Sequence, residues 1–312
     1  MSAVETDKEN RMSDKKAEIL PNFLVIGAFK SGTNSLYHYL EAHPQVFMCP
    51  ANEPSFFAFE GKKMSGGRWA EGVVTDFEDY KKLFAGAAGK IAVGEVSPTY
   101  LVSLEAPGRI KHYLPDAKLI AILRHPVDRA YSQWQMEVRQ GNEKTEDFAE
   151  AIKTVKVVAD GTSRRRFVAG SLYYQLLQKY YALFDPSQIC VMLSDHLSTD
   201  REGLVKKMYG FLNVDSSFVP QNINVRFNEG GGVPRGRTGG FLLQKFFPAF
   251  SGIKSLVPQG LRERFVGGVR RQLLVKPPEL APELRAELSV FFRDDILRLQ
   301  ELIHKDLSMW LN

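Results

Sequence analysis

The sequence predicts an α/β protein, a single P-loop-like domain built on a central, mainly parallel β-sheet flanked by helices. Three observations predict it. Short apolar runs alternate with amphipathic helical stretches, the pattern of successive βαβ units. The first apolar run leads directly into Gly27-Ala28-Phe29-Lys30-Ser31-Gly32-Thr33, a loop bounded by glycines that opens onto a helix. A second polar cluster, Arg124 to Ser132, also follows a strand end, and parallel sheets bind ligands outside the carboxyl ends of their strands.

The elements follow in order. Residues 22–27 read as a buried strand between Pro21 and Gly27, and 31–42 as a helix with Leu36, Tyr37 and Leu40 on one stripe, closed by Pro44. Strands follow at 90–96, 118–123 and 189–193, the second of these ending at Arg124. Helices are expected at 109–114, at 129–141 after Pro126-Val127-Asp128, and at 172–184. Residues 197–212 read as helical, opened by Ser198 or Thr199 with Glu202 available for a capping box. The tail, 282–311, is amphipathic and helical with no convincing linker before it, so 21–312 is expected to be one domain. Residues 1–20, polar and alternating in charge, are expected to form a disordered leader.

A chain of 312 residues can bury a large core. The net charge of +5 suits an anionic cofactor or substrate, and neither a zinc finger nor an RNP pair points to nucleic acid. No run approaches the roughly 18 apolar residues of a membrane span. The N-terminus lacks the apolar core of a signal peptide, so a cytoplasmic protein without a membrane span is expected. Cys49 and Cys190 have neither CxxC nor zinc-ligand spacing and read as buried free thiols.

The loop carries the chemistry. Gly27 and Gly32 have the separation found in the P-loop of ATPases, but Thr33 stands where that motif places its lysine and Lys30 lies inside the loop. Amides at a helix N-terminus favour an anion, and the side chains of Thr33, Asn34 and Ser35 add polar groups at the same end. Lys30 supplies a mobile positive charge that can follow charge developing on a leaving group. In the second cluster, Arg124 and Ser132 provide a guanidinium and a hydroxyl for a second phosphate. Arg129 shares a helix face with Ser132, and either phosphate binding or an exposed salt bridge accounts for it.

These residues resemble a known family, the sulfotransferases that use 3′-phosphoadenosine 5′-phosphosulfate (PAPS), in particular the bacterial and heparan-sulfate-like branch. Residues 23–36, FLVIGAFKSGTNSL, resemble the family's 5′-phosphosulfate loop, and 119–134, LIAILRHPVDRAYSQW, its 3′-phosphate motif. Supporting likenesses are HPQVFMCPANEPSFF at 43–57, GEVSPTYL at 94–101, GSLYYQLLQKY at 170–180 and the helical close. The resemblance implies the sulfotransferase fold. It implies that Lys30, Ser31, Gly32, Thr33, Asn34 and Ser35 surround the 5′-phosphosulfate, while Arg124 and Ser132 hold the 3′-phosphate. Tyr173 falls in a stretch that helps close the cofactor site. Arg235 and Arg237, in the glycine-rich run 228–240, fall where relatives carry a basic loop over the nucleotide. Asn34 stands where the family usually has threonine.

Sulfuryl transfer also needs a base for the acceptor hydroxyl or amine. Glu53, held before Pro54 and two phenylalanines, is the leading candidate, and the resemblance agrees. Relatives carry a lysine before that glutamate, where this chain has Asn52, and heparan-type relatives often have a lysine in place of Val96. Both absences point toward a small or moderately apolar acceptor over a polyanionic chain. Glu95 is the alternative carboxylate, either catalytic or holding Ser97 or a loop amide. A histidine base is the third possibility, with His38 and His43 nearest in sequence to the loop. The acceptor pocket is expected around 56–69 with Trp134, Met136 and the stretch after Lys144, rich in aromatics including Phe56, Phe57, Phe59 and Trp69. No histidine or cysteine has metal spacing. The competing functions are a P-loop kinase or nucleotide hydrolase, and a non-enzymatic nucleotide-binding scaffold.

Overall fold

Five strands build one all-parallel sheet: β1 (Phe23–Gly27), β2 (Val46–Met48), β3 (Ala92–Val96), β4 (Lys118–Leu123) and β5 (Ile189–Leu193), in the order β2-β3-β1-β4-β5. The structure, a computed structural model, describes residues 18–64, 72–153, 166–225, 227, 233–234, 274–275 and 279–311. Strand order reverses at β1, so the crevice at its carboxyl end is the topological switch point where such sheets bind ligands.

The main helices are α1 (Thr33–Glu41), α2 (Phe56–Phe59), α3 (Phe77–Lys82), α4 (Thr99–Val102), α5 (Ala106–Tyr113), α6 (Pro126–Gln140), α7 (Tyr173–Tyr181), α8 (His196–Thr199), α9 (Arg201–Phe211) and α10 (Pro282–Ile303). Because side chains alternate across a strand, each strand feeds two cores. Leu24, Ile26, Val93, Leu119, Ala121 and Leu123 pack on one face with Leu177 of α7 and Phe292 and Ile296 of α10. Phe23, Val25, Val96, Ile120 and Ile122 pack on the other with Leu36 and Leu40 of α1 and Met208 of α9. The expected closing helix thus belongs to the same body of structure. Asp295 of α10 accepts from the amides of Tyr174 (3.0 Å) and Gln175 (3.4 Å), capping the start of α7.

The predicted strands at 118–123 and 189–193 coincide with β4 and β5. The sequence reading missed β2, whose three residues are too few to show a period. It also ran 197–212 together as one helix. The chain breaks at Asp200, whose carboxylate caps α9 by accepting from Gly203 N at 3.0 Å. Ser198 and Thr199, expected to open that helix, instead donate back to the Asp195 carbonyl at 2.8 and 3.1 Å. In the tail, α10 stops where His304 takes a left-handed conformation (φ 50°).

Of the expected leader, 1–17 lie outside the described residues, as do Arg235, Arg237 and Trp69. Within the expected glycine–arginine loop, Val233–Pro234 pairs antiparallel with Leu274–Val275. Among the described residues no helix is long and apolar enough to cross a membrane. Both cysteines are buried free thiols, and burial pushes the Cys49 thiol up to about 12.

Candidate functional site

Four neighbouring strands deliver the site's polar groups along one edge of the sheet, because parallel strands place all their carboxyl ends together. Hydrogen bonds lock the exits: Cys49 N to Gly94 O (2.8 Å), Ser97 N to Val25 O (3.0 Å) and Ala28 N to Ile122 O (2.8 Å). In spatial order, β2 leads to Glu53, β3 carries Glu95 and leads to Ser97, β1 leads to Lys30, and β4 ends at Arg124. Strained backbone gathers at the same edge. Of the five non-glycine residues with positive φ among those described, Lys30 (65°), Glu53 (51°) and Ser55 (52°) are here.

The loop between β1 and α1 gathers backbone amides, hydroxyls and a lysine. Gly32 has φ 105°, a conformation that disfavours any side chain, and a Cβ there would stand 2.4 Å from Leu197 Cδ1, which would have to shift. The Ser35 and Leu36 amides donate to Gly32 O (3.0 and 3.2 Å), closing the first turn. The amides of Gly32, Thr33 and Asn34 meet no acceptor among the described residues. Ser31, Thr33 and Ser35 are buried, and the Ser31 hydroxyl, near Tyr173, makes no hydrogen bond of good geometry. Lys30 is half-buried, and its pKa is lowered first by burial, then by the charges of Arg139 and Arg124. Neither Lys30 nor Arg124 has a carboxylate partner among the described residues. Free amides, an unsatisfied hydroxyl and uncompensated cations fit a phosphate-bearing ligand at this place.

Arg124 Nη1 donates to Lys30 O at 3.4 Å, and the Tyr173 hydroxyl donates to Arg124 O at 2.9 Å, so Tyr173 holds the backbone that aims Arg124. Ser132 lies half-buried on α6. Arg129 is not a surface residue. It is fully buried, donating through Nε to Ser171 Oγ (2.6 Å), through Nη1 to Gln133 Oε1 (2.7 Å) and Phe29 O (3.5 Å), and through Nη2 to Phe167 O. It ties the phosphate-type loop to the segment before α7, and burial pulls its pKa down to about 10. Sequence reasoning also missed Arg139, which lies seven residues after Ser132 on the same helical face and is the leading charge acting on Lys30.

On the far side of β1 sit the carboxylates. Glu53 is half-buried, with burial raising its pKa. Glu95 has no exposed surface. Its Oε2 accepts from Ser97 Oγ (2.7 Å) and its Oε1 from Tyr100 (2.5 Å) and Tyr80 (3.3 Å). Burial pushes it up to about 7 against those hydroxyls. It therefore has the holding role foreseen as one of its two alternatives. Asp295 is likewise pushed up by burial, to about 6.

A carboxyl group whose folded pKa exceeds its unfolded value keeps a proton that the unfolded chain releases. Its contribution is full below the ordinary value of 4.5 and is lost as pH rises through about 7. For Glu95 this amounts to at most about 3 kcal/mol. Thermal melts of wild type and Glu95→Gln between pH 5 and 8 should show wild type losing its advantage as pH rises. A constant difference would remove the titration from Glu95.

The histidines are occupied elsewhere. Buried His43 bonds Asp215 O through Nε2 (3.0 Å) and accepts from Gln45 N at Nδ1 (3.1 Å). His38 stacks on Phe227 at 4.1 Å and meets Glu41. Of the expected aromatic pocket, Phe56 and Phe57 are core, fully buried against Tyr80, Tyr100 and Tyr113, while Phe59 and Met136 are half-buried; Trp134 packs on Tyr131 and Phe148 and donates to Thr145 O at 3.1 Å. Val96 is buried in the core of the α1 face.

Residues 21–217, which include every element of this edge, match the Sulfotransferase family. The chain belongs to the sulfotransferase family. A crystal structure of a sulfotransferase from Alicyclobacillus acidocaldarius superposes on 94% of this chain and all of its own, with a TM-score of 0.69 and 28% identity. The bifunctional heparan sulfate N-deacetylase/N-sulfotransferase 4 of Mus musculus is 28% identical over 96% of this chain, and the human enzyme 3 of that name 26% over 98%. The chain spans about a third of the length of these curated relatives. Family membership agrees with the edge geometry, a phosphate-type cradle beside carboxylates of raised pKa.

Proposed function

We propose that this protein transfers a sulfuryl group from PAPS to an acceptor hydroxyl or amine. The observation that carries the reading is the pairing, on one sheet edge, of an uncompensated cationic cradle at Lys30 and Arg124 with a half-buried carboxylate, Glu53, whose pKa is raised. PAPS, when bound, supplies the activated sulfuryl group and leaves as adenosine 3′,5′-bisphosphate. The amides of Gly32, Thr33 and Asn34, with the side chains of Ser31, Thr33, Asn34 and Ser35, bind the 5′ end. Arg124 and Ser132 bind the 3′-phosphate, and Tyr173 steadies Arg124. Arg235 and Arg237, outside the described residues, are assigned to the nucleotide by resemblance alone. Lys30 stabilises charge on the departing phosphate, and Glu53 takes the acceptor's proton.

Calorimetric titration tests the donor assignment. Adenosine 3′,5′-bisphosphate should bind without magnesium and ATP should not compete. Arg124→Ala should weaken the bisphosphate by about 2–4 kcal/mol through loss of a charge-assisted contact. Preference for Mg-ATP would instead support the kinase reading, against which Thr33 stands in the place of the motif lysine.

A small acceptor follows from Asn52, which leaves one cation fewer beside Glu53, and from Val96 standing where heparan-type relatives often carry a lysine. Arg139, acting on Lys30 from α6, favours a second reading, an anionic glycan, and the named relatives are heparan sulfate enzymes. Turnover of N-deacetylated heparan but not of small phenols or alcohols would establish the second reading. The converse would establish the first.

A further inference from the structure

We propose that Glu95 is a positioning residue for Glu53, acting through the Ser97 hydroxyl and the Ser55 amide. The inference rests on Glu53 being the base. Ser97 Oγ has one proton, which it gives to Glu95 at 2.7 Å, leaving its lone pairs to accept the Ser55 amide at 2.9 Å. Ser55 is also held through its own hydroxyl, 3.1 Å from Thr99 Oγ1, and the Pro54 carbonyl accepts from Val74 N at 2.9 Å. Pro54 has a fixed φ, which removes one of the few dihedrals between the left-handed residues on either side of it, Glu53 and Ser55, and so couples their positions. Anchoring the Ser55 amide therefore anchors Glu53.

The donor set explains why the hub is a carboxylate. Three hydroxyls, from Tyr80, Tyr100 and Ser97, converge on Glu95; the carboxylate that prevails above about pH 7 accepts from all three, and below it the carboxyl still has an oxygen that can accept from Ser97. A glutamine presenting its NH2 group to Ser97 could not accept that hydroxyl's proton, and the Ser55 amide, itself a donor, could not take it either, so the relay would break. Tyr80 of α3, Tyr100 of α4, Cys49 beyond β2 and Glu53 are the titratable groups that act on or with Glu95, and none is a cation. The position of Glu53 is thus written into β3, one strand away from the loop that carries it.

Ser97→Ala keeps Glu95 and its two tyrosines and removes only the relay. Hydrogen–deuterium exchange over 53–57 should speed at least about tenfold. With PAPS and N-deacetylated heparan as probe acceptor, kcat should fall about tenfold or more, with bisphosphate affinity within twofold of wild type. Ser97→Thr, which restores a hydroxyl, should recover most of both. In a Glu53→Gln background Ser97→Ala should cost no further activity, because both changes act on one group. Unchanged exchange in Ser97→Ala overturns the proposal, as does a full additional loss in the double variant. If Glu53→Gln alone is as active as wild type, the base assignment fails, while the exchange data still report whether Ser97 holds the loop.

Discussion

Glu53→Gln should lower kcat by a factor of about 10²–10⁴, the range over which a positioned base contributes to proton transfer. Glutamine keeps the size and polarity of the side chain and removes only its capacity to accept a proton. Binding of adenosine 3′,5′-bisphosphate should therefore be unchanged, because Glu53 lies across β3 from the cradle at β1 and β4. The pH profile gives a second readout. Burial raises the Glu53 pKa, so wild-type activity should be lost as pH falls through a value above the ordinary carboxylate range, and the variant's residual rate should lose that acid limb. Steady-state kinetics across pH 4–8, together with calorimetry, check both outcomes. A variant with wild-type kcat would move the base to another group.

Lys30→Ala should cost about 10²–10³ in kcat, comparable with removing one preorganised electrostatic contact to developing charge. Bisphosphate affinity should fall much less. On the proposed reading, the charge Lys30 answers grows only as the sulfuryl bond breaks, whereas the loop amides, Arg124 and Ser132 meet charge already present in the ground state. Burial and the neighbouring Arg139 and Arg124 lower the lysine pKa, so wild-type activity should also decline at alkaline pH, below the usual lysine range. Equal losses in turnover and affinity would show Lys30 to be an anchor only. Arg124→Ala provides the contrast, since its loss should fall mainly on affinity.

The fold was legible because its signals are local. An apolar run, a glycine-bounded loop and an amphipathic helix are each read from consecutive residues, and their alternation implies a parallel sheet. Strands β4 and β5 coincide with the expected ranges, and the loop at 27–35 lies at a strand end as its spacing implies. Where the local signal was brief, as in the three residues of β2, or interrupted, as at Asp200, the reading failed.

The sequence by itself determined the α/β class and the two polar clusters at strand ends, the glycine-bounded loop that contains Lys30 and the stretch that begins at Arg124. Only the tertiary structure decided what Arg129, Glu95 and Val96 do. Arg129 reads as an ordinary basic residue until Phe29, Phe167 and Ser171, distant in sequence, surround it and bury it. Glu95 and Val96 are adjacent, yet strand alternation turns one toward Tyr80 and Tyr100 and the other into the core against α1. Local patterns follow from backbone geometry, which neighbouring residues impose on one another. Burial, charge compensation and hydrogen-bond partners come from segments that only the folded chain brings together, and those quantities separate a residue that binds or reacts from one that holds the others in place.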